Sequence, residues 1–256
     1  MLERIKTIYQ TCDSDDPVVP PTMLFNEGWL LRLILDWFSN NRIQGHQLDF
    51  DSNFRWYSEA LLRSPFLPRH RGDPLSESWT HADAVVGNFA ITDKFNSELQ
   101  LTSSIRHLVV LEAKIYSKLS QGVTNASYYD QAARYVACIA ELLHVADFKP
   151  ASVDKLAFHV LAPKSQIDSN VFANELSRES IYKKVERRTG EYGNDKKSWF
   201  DNWFIPTLDK IKLSPISWEE IIASIDGVDH IFGTGIGDFY NKCLKYNEHV
   251  KTSRFF

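Results

Sequence analysis

Glu112 and Lys114 are the residues whose types and spacing most suggest chemistry, because they interrupt the apolar stretch LVVLEAKIYS at positions 108–117. Side chains two residues apart on a strand project from the same face, so a carboxylate and an ammonium group would lie side by side. Two charges in a central strand are costly to bury unless they have partners or bind a metal ion. The stretch therefore predicts a functional site, with a structural ion pair as the alternative.

A second carboxylate, Asp83, lies near the start of the preceding predicted strand, in HADAVV. If the two strands pair in antiparallel fashion, Asp83 can approach Glu112. Paired carboxylates are hard oxygen ligands of the kind that Mg²⁺ and Mn²⁺ prefer. A lysine beside such an ion can orient an attacking water molecule and offset the charge of a phosphate. Asp73 in RGDP is a weaker candidate for the same acidic position.

The stretches ADAVV, LVVLEAK and YYDQAARY together resemble the motifs of the PD-(D/E)XK nuclease superfamily, which has the restriction-endonuclease-like fold. That family has an acidic residue on one strand, Glu-x-Lys on the next strand, and then a helix. The resemblance covers roughly residues 24–163. It departs from the family in two respects: Ala82 stands where a proline often precedes the acid, and the interval between Asp83 and Glu112 is long.

The resemblance implies a role for each residue of the strand motifs. Asp83 and Glu112 would hold Mg²⁺ or Mn²⁺, and the backbone carbonyl of Ala113 would be a further ligand. Lys114 would position the attacking water and stabilise the charge that develops on the phosphate. The implied activity is that of a magnesium-dependent deoxyribonuclease, which hydrolyses phosphodiester bonds of DNA.

Two helices would contribute supporting residues to the same catalytic set. Gln131 and Tyr135 match the Gln-x-x-x-Tyr of the family's exonuclease-like branch and lie four residues apart on one helical face. Gln131 would orient Lys114 or the nucleic-acid backbone, whereas a tyrosine at that position is more often a core residue. Glu27 in NEGWLL matches a glutamate on the first core helix and would support the metal. An exposed first-turn glutamate is the plain alternative, and Glu59 competes for the role.

The formal net charge of −4 means that any basic face for nucleic acid must be local. KKVERR at 183–188 could add to a basic track, although such runs are commonly solvated faces. A non-catalytic module that binds nucleic acid or protein on the same scaffold is the alternative function. The individual candidates for phosphate contacts are Lys118, Arg134, Arg69 and Arg71.

The composition indicates a soluble cytoplasmic protein. The three cysteines are far apart and form no CxxC pair, which argues against a disulfide framework or a zinc knuckle. The N-terminus lacks the apolar core of a signal peptide. The most apolar stretch, GWLLRLILDWF, is broken by Arg32 and Asp36 and is too short to span a bilayer, so no membrane partner is expected. Many enzymes of the restriction-endonuclease-like fold act as dimers, so a homodimer is compatible with the resemblance.

The predicted order of elements is one helix, three strands, a second helix, a fourth strand and then further helices. This order predicts an α/β domain in which a mixed sheet is flanked by helices, with a helical C-terminal extension. The predicted boundaries are 1–165 for the core with its N-terminal arm and 166–256 for the extension. Helices are predicted at 26–39, 126–144, 170–188, 198–211, 217–225 and 237–250, strands at 82–92, 106–116 and 154–163, and a short strand with a helical turn at 54–66.

Overall fold

A computed structural model describes residues 1–50, 53–93, 97–102, 105–122 and 125–252. The strands are β1 (Arg55–Leu62), β2 (Thr80–Gly87), β3 (Phe89–Asp93), β4 (Glu98–Leu101), β5 (His107–Ala113), β6 (Lys155–Ala162) and β7 (Lys212–Ser217). The α-helices are α1 (Leu2–Gln10), α2 (Glu27–Asn40), α3 (Gln131–Val145), α4 (Lys164–Asp168), α5 (Arg178–Gly190), α6 (Lys197–Trp199), α7 (Ile205–Lys210), α8 (Trp218–Asp226) and α9 (His230–Thr252). A π-helical segment, Phe200–Phe204, joins α6 to α7.

The strands form a mixed sheet that, over the described residues, has seven members in the order β3-β4-β1-β2-β5-β6-β7. Strands β1, β2 and β5 pair in antiparallel fashion, whereas β5, β6 and β7 are parallel. The predicted α/β class with a mixed sheet flanked by helices is therefore confirmed. The predicted antiparallel pairing of β2 with β5 is also confirmed, although β3 and β4 lie between them in sequence and pair with each other at the sheet edge.

Helices cover both faces of the sheet and enclose two apolar cores. The first core packs α3, α5 and the α6–α7 segment against residues such as Val110 of β5. The second core packs α2, α8 and α9 against alternating residues such as Val109. Strand β5 is therefore buried on both faces, which explains why its sequence is almost continuously apolar up to Glu112.

Helices α2 and α3, which carry Glu27 and Gln131, each begin after a residue whose side chain caps the helix. Asn26 caps α2 by accepting a hydrogen bond from the backbone N–H of Trp29 at 2.9 Å. Asp130 caps α3 in the same way, accepting from the N–H of Ala133 at 3.0 Å. Such caps satisfy backbone N–H groups that have no partner within the helix. The cap at Asp130 explains why α3 begins at Gln131 and not at 126 as predicted.

Several predicted ends of strands and helices were wrong, because backbone geometry or pairing with distant strands sets these ends. The predicted strand 82–92 is two strands, because Gly87 has a φ of +149° and a side chain there would place its Cβ 2.0 Å from the His107 carbonyl oxygen. The segment 54–66 forms β1 and then a turn, without the predicted helical turn. The predicted helix 170–188 begins only at Arg178.

Two strands were missed, and one of them changes the description of the C-terminal part. Strand β4 lies in a segment predicted to be a loop, and it pairs with β3. Strand β7 lies between predicted helices and extends the sheet beside β6, so residues 166–256 are not only helical. Helix α1 was not predicted either, and it buries none of its residues. No helix in the described ranges is long and apolar enough to cross a membrane.

Candidate active site

Asp83 and Glu112 lie close together on neighbouring antiparallel strands. The ladder of β2 and β5 pairs Ala84 with Leu111, and Asp83 and Glu112 are the next residues of their strands beyond that pair. Asp83 Oδ2 accepts a hydrogen bond from the backbone N–H of Ala113 at 2.7 Å, and the negative charge of Asp83 acts on the Glu112 carboxyl. The structure therefore brings the two predicted metal-binding carboxylates together.

Glu112 is 2% exposed, and both of its oxygens have partners. Oε1 accepts hydrogen bonds from Lys114 Nζ and, at 2.7 Å, from Gln131 Nε2. Oε2 accepts from the hydroxyl of Tyr135 at 2.7 Å. The buried Glu112 carboxylate therefore accepts hydrogen bonds from Lys114, Gln131 and Tyr135, which all belong to the sequence motifs.

The loop between β5 and α3 sets the orientation of the Gln131 amide. The backbone N–H of Ser120 donates to Gln131 Oε1 at 3.0 Å, and the N–H of Gln131 donates to the Ser120 carbonyl at 3.0 Å. Because Oε1 is occupied as an acceptor, the amide nitrogen Nε2 is left to donate to Glu112. Gln131 therefore contacts the carboxylate that pairs with Lys114, whereas the sequence predicted a contact with Lys114 itself or with nucleic acid.

Lys114 follows the last residue of β5, and its backbone is held from two sides. Its N–H donates to the Leu161 carbonyl at 2.8 Å, and its carbonyl accepts from Trp218 Nε1 at 2.9 Å. Trp218 is fully buried at the start of α8, so the C-terminal part of the chain helps to position the lysine. The Lys114 side chain remains 13% exposed. No local sequence signal marks Trp218 as part of this site.

The two carboxyl groups are in an environment that opposes ionisation of both. Burial, followed by the negative charge of Asp83, raises the pKa of Glu112 to about 7, against the attraction of Lys114. Burial also raises the pKa of Asp83, while the Ala113 N–H and the charges of Lys114 and Arg32 act to lower it. A bound divalent cation would relieve the repulsion between two adjacent carboxylates.

The donor set fits a small hard cation. Asp83 and Glu112 offer carboxylate oxygens, and Mg²⁺ is commonly bound through one or two carboxylates, water molecules and substrate phosphates. In the described part of the chain, no three His, Cys, Asp or Glu side chains are grouped so as to hold a metal ion. Binding here would therefore depend on these two carboxylates, with the predicted Ala113 carbonyl, water and a phosphate completing the coordination.

The structure places Glu59 rather than Glu27 beside Asp83. Glu27 is the first residue of α2, and its charge adds to the effect of burial in raising the pKa of the Cys243 thiol. Among the described residues, Glu27 forms no hydrogen bond or ion pair with the carboxylates of the site. Glu59 lies on β1 between Ser58 and Ala60, which pair with the residues on either side of Asp83, and it forms an ion pair with Arg32. The competing glutamate is thus the one that shares the neighbourhood of the site.

Two of the predicted phosphate-binding residues are already engaged by acids. Arg69 forms an ion pair with Asp73 at 2.9 Å, which also shows that the alternative acid Asp73 has its own partner. Arg134 donates to Thr80 Oγ1 at 2.8 Å, and its Nε lies 3.6 Å from Glu77. The other two candidates are exposed, namely Lys118 and Arg71.

The segment 183–188 is only partly exposed. Arg188 is fully buried and binds Glu191 at 2.5 Å. Lys184 pairs with Asp130, the residue that caps α3, and so joins α5 to the start of α3. Lys183 and Arg187 remain exposed, so helix packing leaves two of the four cations of this segment accessible.

The chain matches no known family model, curated protein or solved structure. The assignment of a function therefore depends on the geometry of the site and on the motifs of this sequence.

Proposed function

We propose that this protein is a magnesium-dependent nuclease that hydrolyses phosphodiester bonds of DNA through a PD-(D/E)XK-type site. The observation that carries the proposal is the proximity of the Asp83 and Glu112 carboxyls on adjacent strands, with the Lys114 ammonium group bonded to Glu112. The order of β2, β5 and α3 gives further support, because the family that the sequence resembles has an acidic residue on one strand, Glu-x-Lys on the next strand and then a helix. We propose that fold for residues 1–165.

In this proposal Asp83, Glu112 and the Ala113 carbonyl would hold Mg²⁺. When bound, the ion supplies Lewis acidity toward a phosphate oxygen and favours an activated water molecule. Lys114, whose ammonium group is partly accessible, donates a hydrogen bond to that water or to the phosphate. Gln131 and the Tyr135 hydroxyl keep the Glu112 carboxylate in one orientation. Leu161 and Trp218 hold the backbone that carries the lysine.

The proposal is tested by incubating the full chain with circular and linear DNA, with MgCl₂ or with EDTA. We expect cleavage that requires Mg²⁺ and that falls by about a hundredfold or more in Asp83→Asn and Lys114→Ala. The matched controls are Lys197→Ala, an exposed lysine at the start of α6, and Glu141→Gln, a buried carboxylate on α3. Cleavage that is equal in the site variants, or a wild-type protein without activity, would contradict the proposal.

A non-catalytic module that binds nucleic acid or protein is the second candidate. Two observations favour it. Lys114 already pairs with Glu112, and no group of three metal-ligating side chains occurs among the described residues. This function predicts binding that does not require Mg²⁺ and that survives Glu112→Ala. Fluorescence anisotropy with labelled oligonucleotides, in Mg²⁺ and in EDTA, separates it from the nuclease.

A further inference from the structure

Arg32 of α2 presents a partly free guanidinium group beside the candidate site. Its Nε donates to Ser58 Oγ at 2.8 Å, and its Nη2 donates to Glu59 Oε1 at 3.1 Å. The Trp29 ring packs against it, with 5.2 Å between the guanidinium carbon and the ring centroid. Nη1 lies over Gly28 and donates no hydrogen bond to any residue that the structure describes. These contacts fix the position of Arg32. Because 27% of its side chain is exposed, its remaining N–H groups can donate hydrogen bonds to a ligand.

Arg32 lies near Asp83, one of the two proposed metal-binding carboxylates. Its partner Ser58 pairs with Ala84, the residue after Asp83, and its partner Glu59 is the next residue of β1. Through these contacts the guanidinium lies close enough to Asp83 for its charge to act on that carboxyl. Arg32 and Lys114 therefore approach Asp83 from different elements.

The backbone of Glu59 has an unusual conformation at this point. Its φ is +58°, a left-handed value that is unfavourable for a residue with a side chain. The facing strand is also irregular, because Ala82 packs in the first core and Ala84 in the second, so the regular alternation changes at Asp83. Strained backbone of this kind is often retained at functional sites. Here it directs the Glu59 carboxylate to Arg32.

A nucleic-acid strand has further phosphates beside the one at the metal site, and a cation next to the site favours their binding. Lys114 is bonded to Glu112, so in the free protein it is not such a cation. The pair between Arg32 and Glu59 is exposed, with 55% of the Glu59 side chain accessible, and such pairs contribute little to stability. A phosphate can therefore replace Glu59 at low cost. Arginine also suits this task, because its planar fork binds phosphate through two parallel hydrogen bonds.

We infer that Arg32 is a phosphate-binding residue of the site, which exchanges Glu59 for a phosphodiester of the bound strand. The inference rests on the proposed function, because it takes nucleic acid to be the substrate. In the free protein Glu59 neutralises and orients the guanidinium. In the complex Arg32 holds a phosphate next to Asp83, and Trp29 continues to support the guanidinium plane.

The experiment measures binding of a short fluorescein-labelled oligonucleotide to the full chain by anisotropy, in Ca²⁺, over a range of salt concentrations. Arg32→Gln should raise the Kd about tenfold or more. It should also reduce the slope of log Kd against log salt concentration by about 0.7–0.9, because one phosphate contact is lost. A purely structural role would not change this slope. Glu59→Gln should lower the Kd, because Arg32 no longer has a competing carboxylate.

The matched control is Arg106→Gln. Arg106 is also an exposed arginine in an ion pair, with Asp154 at 2.8 Å, but it precedes the first residue of β5, whereas the site is at the last residues of that strand. Its loss removes the same charge and should leave the Kd and the salt slope nearly unchanged. If Arg32→Gln fails to fold, Glu59→Gln decides the question, since the expected effect has the opposite sign.

The outcomes distinguish this inference from the nuclease proposal. An unchanged Kd and salt slope in Arg32→Gln, or weaker binding by Glu59→Gln, would overturn the inference even if DNA is cleaved. Binding that depends on Arg32 without any cleavage in Mg²⁺ would support the inference and remove the nuclease proposal. A wild-type protein that binds no oligonucleotide would overturn both.

Discussion

The buried carboxyl of Glu112 leads to a prediction that needs no substrate: Glu112→Gln should stabilise the metal-free protein at alkaline pH. The pKa of this group is about 7 in the folded protein, mainly because of burial, against an ordinary value of 4.5. A carboxyl whose pKa is raised on folding contributes stability that is fully present below about pH 4.5. That contribution is lost as the pH rises through about 7.

The two pKa values determine the size of the effect. Their difference corresponds to about 3 kcal/mol at high pH, and to about 2–3 kcal/mol between pH 5 and pH 8. Glutamine has nearly the same size and hydrogen-bonding atoms but does not titrate. The free energy of unfolding of Glu112→Gln, minus that of the wild type, should therefore increase by about 2–3 kcal/mol from pH 5 to pH 8.

The stability of the wild type alone is not informative, because His159 also makes it depend on pH. The difference between Glu112→Gln and the wild type is the informative quantity. Burial lowers the pKa of His159 to about 4, so protons bind preferentially to the unfolded chain between pH 4 and its ordinary value of 6.5. This effect stabilises the protein by about 2 kcal/mol on going from pH 5 to pH 8. It has the opposite sign to the Glu112 effect, and the two nearly cancel in the wild type. Subtracting the wild-type curve removes the His159 contribution.

The assay is urea denaturation in EDTA, followed by tryptophan fluorescence at several pH values from 5 to 8. Asp73→Asn is the matched control, because Asp73 is a buried carboxylate outside the site, and its hydrogen bond with Arg69 holds the pKa of that carboxyl well below its usual range. The carboxyl therefore stays ionised throughout the titration, and the difference of this variant from the wild type should not rise with pH. A difference for Glu112→Gln that is flat or falls with pH would refute the reasoning. It would then identify Glu112 and Lys114 as a structural ion pair that stabilises the fold only when ionised.

Three further predictions concern the metal, the sheet and the thiols. Mg²⁺ at pH 8 should raise the Tm of the wild type but not that of Asp83→Asn in differential scanning fluorimetry. At a Mg²⁺ concentration of a hundred times the Kd, the expected stabilisation is about 2.7 kcal/mol. Gly87→Ala should lower the stability by about 2 kcal/mol or more, because its Cβ would meet the His107 carbonyl. Gly235→Ala, which meets nothing within 4 Å in α9, should raise it by up to about 1 kcal/mol; equal effects in urea titrations would contradict this account. The three buried cysteines should react with a thiol reagent only as fast as the protein unfolds, and rapid labelling of the native protein would contradict their burial.

Local patterns in the sequence were sufficient to find the centre of the candidate site. Glu112 and Lys114 stand out because the residues around them are apolar, and their contact confirms that they share one face of β5. Helical spacing places Gln131 and Tyr135 on one face, and both contact Glu112. These relations depend on the period of a strand or a helix, which is a property of the local chain.

The surroundings of that centre were decided by tertiary structure. Trp218 bonds the carbonyl of a residue 104 positions away, and which glutamate lies near Asp83 depends on the register of β1. Arg32 interrupts an apolar run in the sequence, and only the packing of α2 on β1 turns it toward Glu59. Strands as short as β4 and β7 are defined by their neighbours in the sheet rather than by their own residues. Local sequence patterns identify the candidate residues of the site. Only long-range packing decided which of them meet, because the distances between elements are set by the burial of apolar surface over the whole fold and not by local periodicity.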